Sequence, residues 1–137
     1  MGPPDFVAST LNDPTALAEL TAAFYEYEAA LVTNDVPTLT RLFLDAPQTV
    51  RFGPTETLYG SQEIERFRRS RSPVGLGRRL GRVTITSVGH DFGTTTAEFT
   101  RTESGVRGRQ TQTWVRSRAG WRVLLAHVST VPQARAG

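Results

Sequence analysis

Residues 107–130 read RGRQTQTWVRSRAGWRVLLAHVST, and this stretch decides the fold class. Gln110, Gln112 and Trp114 recur at the two-residue period of a strand, not the period of a helix. Arg118-Ala119-Gly120 reads as a hairpin turn, so 107–117 and 120–130 are expected to pair. Leu124 to Val128 is apolar at nearly every position, His127 excepted, as in a strand buried on both faces. Alternation along this last strand groups Trp121, Val123, Leu125, His127 and Ser129 on one face. Upstream, 79–90 and 93–103 have the same character, joined through His90-Asp91-Phe92-Gly93. Ser104-Gly105 then turns the chain into 107–117. Four long antiparallel strands therefore close the chain.

The first half is helical. Asp13-Pro14 supplies an N-cap carboxylate followed by a proline at the first helical position. Leu17, Leu20, Phe24, Tyr27 and Leu31 follow at alternating spacings of three and four, one face of a helix. Asn34-Asp35 ends it, and Asp35 can cap a short second helix from Val36 to Phe43. Thr49-Val50-Arg51-Phe52-Gly53 lies in a strand at 48–53, and Thr57-Leu58-Tyr59 is a second short extended piece. Ser61 is the expected cap of a third helix to Ser70, and 72–77 is a loop. Residues 1–12 and 132–137 read as flexible tails around one domain at 13–131. The expected architecture is α+β. A curved, cone-shaped antiparallel sheet wraps over a long N-terminal helix, with three helices in all and a hollow at the open end.

Composition removes several chemistries. The chain has 137 residues and no cysteine, which excludes disulfides, thiolate metal sites and cysteine nucleophiles. It has no lysine, so no Schiff base. Only His90 and His127 are histidines, and neither has ligand-spaced partners, so no metal is expected. No apolar run approaches the ~20 residues of a membrane span. The N-terminus has no signal-peptide pattern, so a cytoplasmic location and no membrane contact are expected. Arg66, Arg68, Arg69, Arg71, Arg78, Arg79 and Arg82 crowd one region, yet only Phe67 is interleaved and no nucleic-acid motif accompanies them. Nucleic acid is not expected as a partner.

Two residues stand out. Arg51 is a permanent cation in an apolar strand. In a sheet solvated on one side it faces water, and in a sheet buried on both it needs an anion. Tyr27 is either a core tyrosine with a backbone partner or a phenol facing the hollow, able to exchange a proton. Ile64, Phe67, Arg68 and Arg71 share one side of the third helix, so one of its arginines could reach inward. Gln112 and Trp114 could line the same hollow, with Tyr59 near its mouth.

Taken together, LTAAFYEYEAALVTND at 20–35, TVRFG at 49–53, LYG at 58–60, IERFRRSR at 64–71, GRQTQTW at 108–114 and GWRVLLAHVS at 120–129 resemble the AtzH-like (HpxZ-like) proteins of the SnoaL-like, nuclear-transport-factor-2-like superfamily. The resemblance implies a cone-shaped fold with an internal pocket, and a homodimer formed through the sheet. It implies catabolism of the cyanuric acid or oxalurate kind, beside an amidohydrolase. It also implies cofactor-independent decarboxylation of a small carboxylated urea, 1,3-dicarboxyurea, to allophanate. The family's essential tyrosine and arginine fall on Tyr27 and Arg51. Arg51 would clamp a substrate carboxylate and Tyr27 would protonate the nitrogen. Gln112, His127 and Ser129 could bond the urea, and Arg68 or Arg71 the far carboxylate.

Two other functions fit the same fold. One is a non-catalytic binding or accessory protein for a small anion. The other is proton transfer of the ketosteroid-isomerase kind, for which Glu98 and Glu56 are the candidate bases.

Overall fold

Asp13 and Pro14 start the first helix as their types dictate. The Asp13 carboxylate accepts from the Ala16 N–H at 3.1 Å, and proline stands where its missing N–H costs nothing. The computed structural model describes residues 8–132, and in it α1 runs from Pro14 to Thr33. Asn34 stops α1 in the left-handed conformation, at φ 50°. Asp35 then caps α2, Val36–Leu42, through the Thr38 N–H. The third helix, α3, covers Ser61–Ser70. Its cap is Gly60, not Ser61, whose hydroxyl instead donates to Asp45 at 2.9 Å.

Six strands form one sheet in the order β2-β1-β6-β5-β4-β3. They are β1 Val50–Phe52, β2 Thr57–Tyr59, β3 Arg78–Val88, β4 Phe92–Arg101, β5 Arg107–Ser117 and β6 Gly120–Thr130. The sheet is mixed, a correction to the all-antiparallel expectation. β1 lies parallel to β6, with Arg51 opposite Ala126. Such a pairing joins distant segments and leaves no local turn signal.

Two irregularities bend the sheet. Thr113 faces Leu125 while Trp114 faces Val123, so Leu124 is an extra residue on β6. Between Leu80 and Val83, β3 carries a second register shift, where Gly81 and Arg82 together oppose Glu98. Each bulge adds twist and curls the sheet over α1.

The concave face holds the core. Leu20, Phe24, Tyr27 and Leu31 of α1, Leu39 and Leu42 of α2, and Ile64 of α3 are buried. All of these but Phe24 cluster with Trp114, Trp121, Val123 and Ala126 of the sheet. Gly93 permits the close approach of β4 to its neighbours. A Cβ there would stand 2.8 Å from the Thr86 carbonyl and overlap Leu20.

Residues 8–12 belong to the fold, unlike the loose tail expected there. A 3-10 turn covers Ala8–Thr10, Leu11 bridges Val88, and the Asn12 N–H donates to the Ser87 carbonyl at 2.9 Å. The other residues assigned to tails, 1–7 and 133–137, lie outside the described residues. No helix among the described residues is long and apolar enough to cross a membrane.

Candidate active site

Four arginines turn toward the interior, and their partners decide what each can do. Arg51 is 2% exposed because β1 sits between β2 and β6 with its Arg51 face against the core. Its Nη1 donates to Glu56 Oε1 at 2.6 Å, while its Nε is buried without a partner. Arg78, at the start of β3, makes a bidentate pair with Glu28 of α1 at 2.8 and 2.7 Å. Its Nη2 also donates to Gln110 Oε1 at 3.0 Å. Arg68 of α3 and Arg71, the residue just past its end, have no carboxylate partner among the described residues.

Asn34 fixes where this end of α3 lies. Its side-chain Nδ2 donates to the carbonyls of Arg68 and Arg71 at 2.9 and 3.0 Å. The end of α1 thereby holds the end of α3, two turns along from Tyr27. Aromatic rings lie against the cations. Phe67 is a shared neighbour of Arg51 and Arg71, with guanidinium-to-centroid distances of 5.3 and 5.4 Å. Arg68 stands 4.8 Å from the Phe43 ring and 6.0 Å from the Tyr27 ring.

Tyr27 is wholly buried, and its hydroxyl makes no hydrogen bond of normal geometry. Burial pushes the phenol pKa up, but Arg68, then Arg51 and Arg78, outweigh it and leave the phenol below its ordinary range. Arg51 thus lies near enough for its charge to act on the Tyr27 phenol. Burial first, then Arg51, lowers the pKa of Arg71 to about 10, which leaves it charged at neutral pH. Glu56 is held below the ordinary carboxylate range. Burial opposes this, and the hydrogen bonds from Arg51 and Thr55 prevail.

The sheet contributes amide donors. Trp114 Nε1 donates to Thr95 Oγ1 at 3.0 Å, and Thr95 Oγ1 donates to Gln112 Oε1 at 2.9 Å. This relay fixes the Gln112 amide so that Nε2 is its free end, buried and without a partner. Gln110 Nε2 is likewise free, because its oxygen is taken by Arg78. Most of the buried atoms left over are guanidinium and amide donors and the Tyr27 phenol, beside Asn34 Oδ1, Trp121 Nε1 and the hydroxyls of Thr40 and Ser87.

Several expected site residues lie elsewhere. Arg51 faces Leu58 across β1–β2, which puts Leu58 inside and Tyr59 outside, 58% exposed against Phe52. The Leu124 bulge reverses the phase of β6, so Ala126 and Val128 point inward, and His127 and Ser129 lie on the outer face. His127 packs its ring against Phe52 there. Trp114 is buried as expected but serves as a core residue and the donor to Thr95. Glu98, one candidate base, is exposed on the outer face, and Glu56, the other, is committed to Arg51. In the arginine-rich segment Arg68, Arg71 and Arg78 turn inward, while Arg66, Arg69, Arg79 and Arg82 are exposed.

A family model described as AtzH-like matches residues 9–134, nearly the whole chain. The chain belongs to the AtzH-like family. Two crystal structures are similar to this chain at high identity. One is a protein of unknown function from the DUF3225 family of Pectobacterium atrosepticum, 47% identical over 93% of this chain and 100% of that one, with a TM-score of 0.90. The other is a cystatin-like fold protein from Burkholderia xenovorans, 42% identical over 90% and 98%, with a TM-score of 0.85. A ketosteroid isomerase-like protein from Erwinia carotovora atroseptica, at 17% identity over 88% and 99% and a TM-score of 0.66, shares the fold alone. A search of curated proteins gives no match. The fold is nuclear-transport-factor-2-like, as similarity to a Pseudomonas putida protein of that class also shows, at 18% identity over 87% and 89% and a TM-score of 0.73.

Within this AtzH-like chain, sequence reasoning missed Glu28 and Thr95, gave Gln110 no role beyond sharing a face with Gln112 and Trp114, and gave Glu56 only the part of a base. Glu28 is one residue beyond Tyr27 and off the apolar stripe of α1, and only the fold brings Arg78 to it. A local signal for Glu56 did exist. Gly53 stands three residues earlier, and a Cβ there would overlap the Glu56 carboxylate. Among the described residues no three of His, Cys, Asp and Glu gather as metal ligands would.

Proposed function

We propose that this protein is a cofactor-independent decarboxylase of a small dianionic urea, with 1,3-dicarboxyurea as the substrate that fits best. The observation that carries this reading is the company Tyr27 keeps, a buried phenol beside guanidinium groups that lack counter-ions. Four inward arginines face two carboxylates, Glu28 and Glu56, which leaves an excess of two positive charges. A ligand with two carboxylates balances that excess. Its central carbonyl suits the free amide donors of Gln112 and Gln110.

The chemistry follows from those groups. The C–N bond to one N-carboxylate breaks, its electron pair goes to nitrogen, and carbon dioxide leaves. Tyr27 gives its proton to that nitrogen, and water restores the phenol proton. Guanidinium groups around the phenol make it a stronger acid than a free one. General acid catalysis of this kind is worth about 10²–10⁴-fold. Arg51 orients the substrate from its Nε edge while Glu56 holds its Nη1.

Two further expectations belong to the same reading. The outer sheet face exposes Phe92 and Leu125, each 42% accessible, and supports a homodimer through the sheet. The product, a carbamoyl carbamate, is the substrate type of an amidohydrolase, beside which the protein would act in the cytoplasm. The test is freshly generated ¹³C-carboxyl dicarboxyurea with purified protein. One equivalent of labelled carbon dioxide and one of allophanate, released faster than in buffer, support the assignment. Release at the buffer rate overturns it.

A further inference from the structure

Arg68 is the most exposed problem in the electrostatics of this fold, because it is the least exposed to water. It is 0% accessible, and Nε, Nη1 and Nη2 all lack hydrogen-bond partners. The other two deeply buried guanidinium groups are each neutralised, Arg51 by Glu56 and Arg78 by Glu28. A buried cation with no carboxylate partner and no hydrogen bond of normal geometry is strongly disfavoured, and the Tyr27 hydroxyl beside it offsets this only in part. Burial weakens its hold on its proton, the Tyr27 hydroxyl opposes this and Arg51 adds to it, yet a guanidinium stays charged in a protein.

The surroundings say how an anion would approach. The Phe43 and Tyr27 rings lie 4.8 and 6.0 Å from the guanidinium carbon, so aromatic surface borders it. Its N–H edges are what remain unoccupied, and those edges match a carboxylate in bidentate form. Asn34 bonds the Arg68 carbonyl at 2.9 Å and so holds this residue's backbone in place beside α1. Arg68 also borders a cleft of about 480 Å³ between α2, α3 and the β5–β6 hairpin. Arg41, Arg122, Asp45 and Glu65 line that cleft too, while Arg68 itself is fully shielded from water.

We propose that Arg68, not Arg51, grips the carboxylate next to the Tyr27 hydroxyl, binding it through its guanidinium edge, and that Arg51 is the secondary contact, tied back by Glu56. This rests on the carboxylate-binding reading above, but its test does not require turnover.

The probe is malonate, a small dicarboxylate that has no N-carboxylate to lose. Malonate should raise the melting temperature of the wild-type protein saturably. Arg68→Met should melt at or above the wild-type temperature without malonate, since a buried orphan charge is gone. Its malonate affinity should fall by about 10-fold or more, the loss expected for hydrogen bonds to a charged group. Arg69→Met, an exposed neighbour on α3, should keep the wild-type response. Wild-type affinity in Arg68→Met overturns the proposal, as does a wild-type protein that malonate leaves unchanged. If Arg68→Met does not fold, the Arg68 Nε–H resonance of ¹⁵N-labelled wild-type protein decides. A saturable shift with malonate supports the site, and an unmoved signal overturns it. The two readings separate cleanly. Arg68-dependent malonate binding without turnover sinks the decarboxylase reading alone. Dicarboxyurea turnover at the wild-type rate in Arg68→Met sinks only the assignment of Arg68.

Discussion

The Glu56 carboxylate occupies the volume that a side chain on Gly53 would fill, and from there it reaches Arg51 at 2.6 Å. A tight turn makes this possible, with the Gly53 N–H donating to the Glu56 carbonyl at 2.9 Å. Thr55 steadies the other carboxylate oxygen through its hydroxyl at 2.9 Å. Gly53→Ala should therefore displace the carboxylate while leaving the turn intact, because the clash is with the far end of a flexible side chain. The expected cost is about 1–3 kcal/mol in urea unfolding, the range for overpacking and for stranding a buried polar group. Unchanged stability would show that the Arg51–Glu56 pair is not held in this way.

The same pair sets an acid-side dependence. Glu56 titrates below the ordinary carboxylate range when folded. Its contribution is thus fully present above the unfolded pKa and is lost as pH falls through the folded one. The stability gap between wild type and Glu56→Gln should be widest near neutral pH and should close as the pH drops below the carboxylate range. Denaturant midpoints measured from pH 7 to pH 2 check this. A gap that stays constant would contradict it.

Thr95 is the hinge of the relay that aims Gln112. Thr95→Val removes the acceptor for Trp114 Nε1 and the donor to Gln112 Oε1 together. Two buried polar groups lose their partners, at about 1–3 kcal/mol each. Thr95→Ser should recover most of the stability, since it restores the hydroxyl. Urea unfolding of the three proteins measures this, and a neutral Thr95→Val would mean that the relay contributes nothing.

Tyr27 should set the alkaline limit of activity. The phenol works protonated, and the guanidinium groups hold its pKa below the ordinary phenol range despite burial. The turnover rate should fall as pH rises, earlier than a free phenol would dictate. In Arg68→Met the fall should move to higher pH, because the largest charge effect lowering the pKa is gone. A pH–rate profile of both proteins decides, and superimposable alkaline limbs would contradict the assignment.

Much of this was legible in the sequence, for identifiable reasons. The stripe from Leu20 to Leu31 repeats at the helical period, and it placed Tyr27 correctly on the buried face of α1. Short-range turn chemistry gave the β5–β6 hairpin with its limits. The bulge at Leu124 was invisible, because one extra residue inside an apolar run changes neither composition nor hydrophobicity. That single residue sends His127 and Ser129 outward. Tyr59 failed for a related reason, since its face depends on the pairing of Arg51 with Leu58. The orientation of Arg68 was open in the sequence, and the Asn34 contacts that help settle it join residues far apart in the chain.

The most direct measurement compares initial rates of carbon dioxide release from 1,3-dicarboxyurea for wild type and Tyr27→Phe. The hydroxyl makes no regular hydrogen bond, so its removal should leave the melting temperature nearly unchanged. The account predicts acceleration over spontaneous decay by wild type and a loss of about 10²-fold or more in Tyr27→Phe. Equal rates in the two folded proteins, or no acceleration by wild type, would contradict it.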